Sequence, residues 1–224
     1  MKISVDIRGI DSVKAHLAGL GGQVAYAASR ALNATATKVV EVMPAEIERA
    51  IDRPVPFTKR GVAILGAGAR KDRLAVTVGF RRAQAKYMAY QIEGGTRNPG
   101  LAGLKLPATI NLNEFGNIPK GIIGKMVAVA RKERKLTKVQ SRRVKVSRNV
   151  ELFYGDPTDQ GGRKLPRGIY KAVPGRLIPL VVFPVQTARY RPIFDFPAKA
   201  AAIVSRVWDK EFSAALANAL RTAR

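Results

Sequence analysis

Residues 176–224 decide the fold, and they read RLIPLVVFPVQTARYRPIFDFPAKAAAIVSRVWDKEFSAALANALRTAR. The first part, 177–185, is a nearly unbroken apolar run. Such a run is typical of a strand buried on both faces, although periodicity alone does not distinguish it from a short buried helix. Pro179 and Pro184 limit this strand to an edge or to a short central position.

The second part of this stretch has the spacing of an amphipathic helix. Asp195 is placed to cap the helix and Pro197 fits its first turn. A buried strand followed by a long amphipathic helix predicts a core-building unit without chemistry of its own. The apolar stripe consists of Phe196, Ala200, Ile203, Val204, Val207, Trp208, Phe212, Leu216 and Leu220.

The N-terminal part predicts a strand at 2–8, a short helix at about 13–20 and a long helix at about 23–51. Pro44 lies inside the long helix and is expected to kink it or divide it. His16, the only histidine, falls in the short helix and is expected at the surface or its boundary.

The middle of the chain alternates strand patterns with loops. Leu74, Val76, Val78 and Phe80 alternate cleanly and predict a strand. Two prolines predict an extended segment at 53–57, and 86–93 predicts a short strand or helix. A loop rich in Gly, Pro and Asn is expected at 97–119, followed by a helix at 120–135 and a strand at 169–173.

These patterns predict an α+β fold, in which a mainly antiparallel sheet is packed by long N-terminal and C-terminal amphipathic helices. Long basic loops occupy the middle. We expect a single domain over 1–224, with a loop-rich basic insertion or arm at 95–150.

Forty Lys and Arg side chains against sixteen Asp and Glu give a formal net charge of +24. Residues 1–52 hold six of each sign, whereas 53–175 hold 26 basic and seven acidic side chains, a net charge of +19. Such a field favours polyanions or acidic protein surfaces as partners.

Several function classes receive no support from the sequence. The chain has no cysteine and one histidine, which argues against thiol chemistry, zinc sites and His-based triads. No run approaches the about 18 apolar residues of a membrane helix, and the first residues lack the apolar segment of a signal peptide. We therefore expect no enzyme, no cofactor and no small-molecule substrate. The carboxylates Glu41, Glu46, Glu48 and Asp52 are expected to form a solvated helix face.

Residues 131–148 form a basic run, in which nine of eighteen side chains are positive and one, Glu133, is negative. Val144 and Val146 alternate with basic residues, which indicates a strand or hairpin arm. The run could keep the protein soluble, bind nucleic-acid phosphate, or dock on acidic neighbouring subunits. The candidate contact residues are Arg131, Lys132, Arg134, Lys135, Lys138, Arg142, Arg143, Lys145 and Arg148.

The two ends of the chain carry a family likeness. It includes the opening Ile7-Arg8-Gly9-Ile10 and, in the first long helix, Arg30-Ala31-Leu32-Asn33. Near the C-terminus it includes Ile178-Pro179-Leu180, the apolar run 182–185, and a long helix with Phe212 and a basic end. In these features the chain resembles the phage minor tail protein Z family of tail-completion proteins.

This resemblance implies a structural virion protein of the tail or neck, assembled in the host cytoplasm. The family acts in tail completion and in joining the tail to the DNA-filled head. It implies a homo-oligomeric ring or collar whose partners are other tail or neck proteins and packaged DNA. The competing interpretation is a free nucleic-acid-binding protein, similar to a ribosomal protein in charge and size.

Overall fold

The computed structural model describes residues 4–8, 21–100, 103–140, 151–158, 164–173 and 176–222, and only the backbone of 4–8, 21 and 133–140. Within these residues the fold is α+β. The elements in chain order are β1 (Ser4–Arg8), α1 (Gly21–Ala50), α2 (Pro56–Lys59), β2 (Val62–Leu65), β3 (Ala75–Phe80), α3 (Arg82–Ile92), β4 (Gly95–Arg97), β5 (Leu106–Pro107), α4 (Ile122–Gln140), β6 (Leu152–Gly155), β7 (Gly168–Val173), β8 (Arg176–Val182), β9 (Ala188–Tyr190) and α5 (Phe196–Arg221).

The chain divides into two compact units. The first unit joins Met1–Gly95 to Arg189–Arg224, and the second unit is Thr96–Ala188. The basic arm expected at 95–150 therefore lies in a unit that extends to Ala188 and has a sheet of its own. The chain leaves the first unit in β4 and returns in β9, and these two strands form a two-stranded sheet.

The sheet of the first unit has the order β1-β3-β2 and is antiparallel. Its central strand β3 follows the predicted alternation, because Val76, Val78 and Phe80 are buried. The predicted N-terminal strand is confirmed in β1. The segment 86–93, for which the sequence left strand or helix open, is helical up to Ile92 in α3, and Glu93 is the C-cap of this helix.

The N-terminal and C-terminal helices pack along each other, as the amphipathic patterns predict. Met43 and Ile47 of α1 share one buried cluster with Phe196, Ala200 and Ile203 of α5. Lys199 near the start of α5 lies 3.0 Å from a carboxylate oxygen of Glu46 near the end of α1. The two helices and the small sheet together enclose the core of this unit.

Helix α1 runs without a break through Pro44, so of the two expected outcomes, a kink or a division, the division is wrong. Proline removes one backbone donor from the helix ladder. Its neighbours Met43 and Ile47 are fully buried, and their packing holds the helix together on both sides of Pro44.

The start of helix α5 is as predicted. The Asp195 side chain accepts a hydrogen bond of 2.9 Å from the Ala198 amide, and Pro197 occupies the first turn. The interpretation of 53–57 as extended is wrong in its second half. Val55 is extended, but Pro56 begins helix α2, because its fixed φ also suits a first helical position.

The second unit contains a four-stranded antiparallel sheet of order β5-β8-β7-β6. Strand β8 is an inner strand, yet of its residues only Val181 is buried and most are half-buried. The expectation of a strand buried on both faces is therefore wrong. A shift in register, in which Ile169 pairs with Val181 and Tyr170 with Pro179, accommodates the proline.

The strand and the helix of 176–224 belong to different units. Strand β8 lies in the second unit, whereas α5 lies in the first. The prediction that they form one core-building unit is wrong, because residues between them carry the chain from one hydrophobic core to the other. Their individual secondary structures are confirmed.

Candidate partner interface

The structure places five of the nine candidate contact residues on one helix. Residues 131–140 belong to helix α4, so the helix predicted at 120–135 is confirmed and continues five residues further into the basic run. The expected basic strand around Val144 and Val146 lies outside the described residues. The contact residues on α4 are Arg131, Lys132, Arg134, Lys135 and Lys138, and those outside the described residues are Arg142, Arg143, Lys145 and Arg148.

Helix α4 has an apolar half and a basic half. Ile123, Met126 and Val127 pack on the small core of the second unit, and Ala130 is buried, as the spacing predicts. From residue 131 onwards the helix is basic. Positions 131, 134, 135 and 138 have the spacing of one helix face, so the helix brings four basic positions together. Arg131 and Lys132 are exposed.

Tyr154 of strand β6 contacts helix α4 at Arg131, where the apolar half of the helix meets the basic half. The guanidinium carbon of Arg131 lies 5.7 Å from the centroid of its ring, and that of Arg167 lies 5.5 Å away. Arg167 also donates a hydrogen bond of 3.2 Å to the Tyr154 hydroxyl. The ring meets Phe183 edge-on at 6.2 Å. Cation–π contacts of this kind hold the cations in place without neutralising them.

Sequence reasoning missed Arg167 as a member of this basic surface. It lies outside the run 131–148 and immediately before β7, whose pairing with β6 brings it near Tyr154. No local pattern marks it, because the contact depends on the register of two strands. The neighbouring Tyr170 donates a hydrogen bond of 2.6 Å to the Pro166 carbonyl, and burial, followed by the negative charge of Asp156, raises the pKa of Tyr170.

A shallow cavity of about 520 Å³ lies beside the first turn of α4. Its lining includes Lys105 and Lys120 as well as Asn117 and Ile118. The basic character of the second unit therefore extends from the basic half of α4 to the other end of the same helix. No carboxylate lines this cavity among the described residues.

The second unit also exposes apolar surface. All four residues of strand β6 are half-buried. In strand β8 of the same sheet, Val181 is the single buried residue. The large exposed apolar side chains of this unit, within the described ranges, are Leu106, Leu112, Val129 and Val185.

The acidic helix face of α1 is mostly solvated, as expected. Glu41 pairs with Lys38, and both side chains are exposed. The exposed Glu48 pairs with Lys59, which is half-buried. Glu46 differs, because its side chain is only 12% exposed and contacts both Arg49 and Lys199. The hydrogen bond from Lys199 is the main cause that lowers the pKa of Glu46.

In the part of the chain that the structure describes, no group of three or more His, Asp or Glu side chains could hold a metal ion. No helix there is long and apolar enough to cross a membrane. No protein-family model, curated protein or solved structure matches this chain. The tail-completion family therefore stays a prediction from the residues quoted above.

Proposed function

We propose that this chain is a structural virion protein of a phage tail. It acts in tail completion and in joining the tail to the head, as a subunit of a ring or collar. In this role it is not an enzyme and uses no cofactor. Its partners are other tail or neck proteins and further copies of itself. The family resemblance supplies the biological setting, and the surface of the second unit supplies the physical argument.

The observation that carries the proposal is the half-covered sheet of the second unit. Three buried residues, Ile169, Val181 and Phe183, form its described buried cluster, and the apolar side chains packed against them are half-buried. Ala130 and Tyr170 are buried as well. Exposed apolar surface next to a poorly covered sheet is typical of a surface that meets another protein. Such a unit is expected to complete its packing in an assembly.

The charge of the same unit indicates the nature of that partner. Its residues 96–188 carry eighteen basic and five acidic side chains. Like charges at this density oppose compaction and attract acidic surfaces. We therefore infer that the basic half of α4 and the remaining basic residues of the run contact acidic faces of neighbouring subunits or packaged DNA.

The direct test is to inactivate the gene in the phage that encodes the chain. We expect DNA-filled heads and separate tails in electron micrographs, and restored particles when the intact gene is supplied in trans. Mass spectrometry of purified wild-type virions should detect the chain. Complete infectious particles without the protein would contradict the proposal.

A variant tests the basic segment itself. Replacing Arg142, Arg143, Lys145 and Arg148 with Ser should leave folding intact but stop particle assembly. A charge-matched control replaces Arg30, Arg206, Lys210 and Arg221, which are exposed on α1 and α5, with Gln. Normal assembly by the first variant would remove this segment from the interface. Binding of DNA by the isolated monomer at low nanomolar strength, with normal virions, would favour the nucleic-acid-binding alternative.

A further inference from the structure

A second basic surface lies in the first unit, at the base of the β2–β3 hairpin. It consists of Arg60, Arg81, Arg82 and Lys86, all exposed, and we refer to it as the hairpin-base surface. The amide of Arg81 donates a hydrogen bond of 2.8 Å to the carbonyl of Gly61, so the segments before β2 and after β3 are adjacent. Arg82 and Lys86 are four residues apart on α3 and share one of its faces.

The backbone under this surface is fixed by contacts between α2 and α3. The Gln84 amide donates a hydrogen bond of 3.0 Å to the Phe57 carbonyl, and the hydroxyls of Thr58 and Tyr87 are 2.9 Å apart. Gly61 fits closely here, because a Cβ at this position would lie 2.7 Å from Cγ of Gln84. The four cations therefore project from packed elements.

The charge of the hairpin-base surface is not neutralised within the described residues. The Nε atom of the Arg60 side chain donates a hydrogen bond of 3.4 Å to the Pro56 carbonyl. Within the described residues, none of the four cations pairs with a carboxylate. Glu48 pairs with Lys59 and Asp52 with Arg53. Glu93 lines one cavity with Arg82 and Lys86 but forms no ion pair with either within the described residues, so one carboxylate offsets part of the charge of the four cations. The first turn of α3 holds no acidic residue.

We propose that the hairpin-base surface binds the phosphate backbone of DNA. Arginine suits this partner, because its planar guanidinium donates two hydrogen bonds to one phosphate. An interface with an acidic protein needs an apolar centre as well as charge. Phe57, 54% exposed, is a single apolar side chain beside this surface in the described part of the first unit, and one side chain does not supply such a centre. The assignment adds a DNA contact outside the basic arm and does not depend on the assembly role.

The test compares the intact full-length chain with the variant R60Q/R81Q/R82Q/K86Q on a short duplex DNA. Each phosphate contact contributes about 0.9 to the slope of log K against log salt concentration. Loss of up to four contacts should lower the magnitude of this slope by up to about 3.6. The charge-matched control R30Q/R206Q/K210Q/R221Q removes four cations from α1 and α5 and should change the slope by less than about 1.

Thermal unfolding should show both variants folded, because the replaced side chains are exposed. Equal changes in slope for the two variants would overturn the proposal, because only the total charge would then matter. Poly-glutamate serves as the protein-like probe. If the R60Q/R81Q/R82Q/K86Q variant lost poly-glutamate binding while its DNA slope stayed unchanged, the surface would be assigned to an acidic protein and the DNA proposal rejected.

Discussion

The two units differ most in how much apolar surface they bury. Among the described residues, the principal buried cluster of the first unit contains sixteen residues from its helices and sheet, whereas that of the second contains three, with Ala130 and Tyr170 buried in addition. The second unit nevertheless carries the higher density of positive charge. A small core offers little to oppose charge repulsion, so we infer that the second unit depends more on its partners.

The position of the chain ends fits this difference. Both long amphipathic helices, α1 and α5, belong to the first unit, where they bury their apolar stripes against each other and the sheet. The second unit has α4 as its long helix, and half of that helix is basic. The apolar capacity of the chain is therefore concentrated in the first unit, whereas the net charge is divided almost evenly, +11 in the first unit and +13 in the shorter second unit.

The largest expected effect comes from removing one phenylalanine from each core. Phe196 is fully buried and lies 5.1 Å from Phe80 between ring centroids. Phe196→Ala should reduce the free energy of unfolding of the first unit by about 3–5 kcal/mol. Phe183→Ala in the second unit should cost about 2 kcal/mol, because its surroundings are already partly hydrated.

Amide hydrogen exchange, followed separately in the peptides of each unit, measures these two losses. Phe57→Ala is the control, because this side chain is 54% exposed and its loss should change stability little. Equal losses for Phe196→Ala and Phe183→Ala would show that the two cores are equally well packed, and the contrast between the units would then fail.

The elements of the first unit were largely predictable from the sequence. The alternation in β3, the stripes of α1 and α5 and the cap at Asp195 each follow from a period or a local hydrogen bond. The division into two units was not predictable from the same patterns. It depends on which core each segment joins, and the apolar run before α5 looks the same whether it pairs with one sheet or the other.

The candidate interface was predictable in composition but not in geometry. The run 131–148 is visibly basic, and its first five residues lie in the helix predicted at 120–135, but the continuation of α4 to Gln140 does not follow from the charge pattern. The contact of Arg131 and Arg167 with Tyr154 depends on strand register and on the packing of α4 against β6. The hairpin-base surface was equally unpredictable from the sequence. Arg60 is some twenty residues away from the other three cations and lies near them only through the pairing of β2 with β3.

A polar contact of intermediate strength holds the β2–β3 hairpin on α1 in the first unit. The Asn33 side chain accepts a hydrogen bond of 2.8 Å from the Ala69 amide and donates one of 3.0 Å to the Ala69 carbonyl. Asn33→Ala leaves two backbone groups of a buried residue without these partners. We expect a loss of about 1–3 kcal/mol in thermal or chemical unfolding of the first unit.

Thr37→Ala, one turn further along α1, is the control for helix propensity and should be nearly neutral, since its hydroxyl bonds only to a carbonyl at an exposed position. A loss confined to the first unit would support the contrast between the units. If Asn33→Ala were as neutral as Thr37→Ala, the hairpin would be held by apolar packing alone.

The smallest effect concerns the ion pair that joins the two long helices. The hydrogen bond from Lys199 lowers the pKa of Glu46 in the folded protein. A carboxylate with a depressed folded-state pKa stabilises the protein above its ordinary pKa, and this contribution is lost as the pH falls through the folded-state value. Glu46→Gln should therefore lower the stability of the first unit by about 1 kcal/mol at pH 7.

The difference between Glu46→Gln and the unchanged protein should shrink as the pH falls below the ordinary pKa of a glutamate, because the unfolded chain then binds a proton at Glu46 before the folded protein does. It is lost once the pH has fallen through the lowered folded-state pKa, where the carboxyl is protonated in both states. Glu41→Gln is the matched control on the same helix, since its pair with Lys38 is exposed on both sides and surface pairs contribute little. Urea unfolding between pH 3 and 7 measures both. A pH-independent loss for Glu46→Gln would mean that side-chain packing, rather than the charge of Glu46, joins α1 to α5.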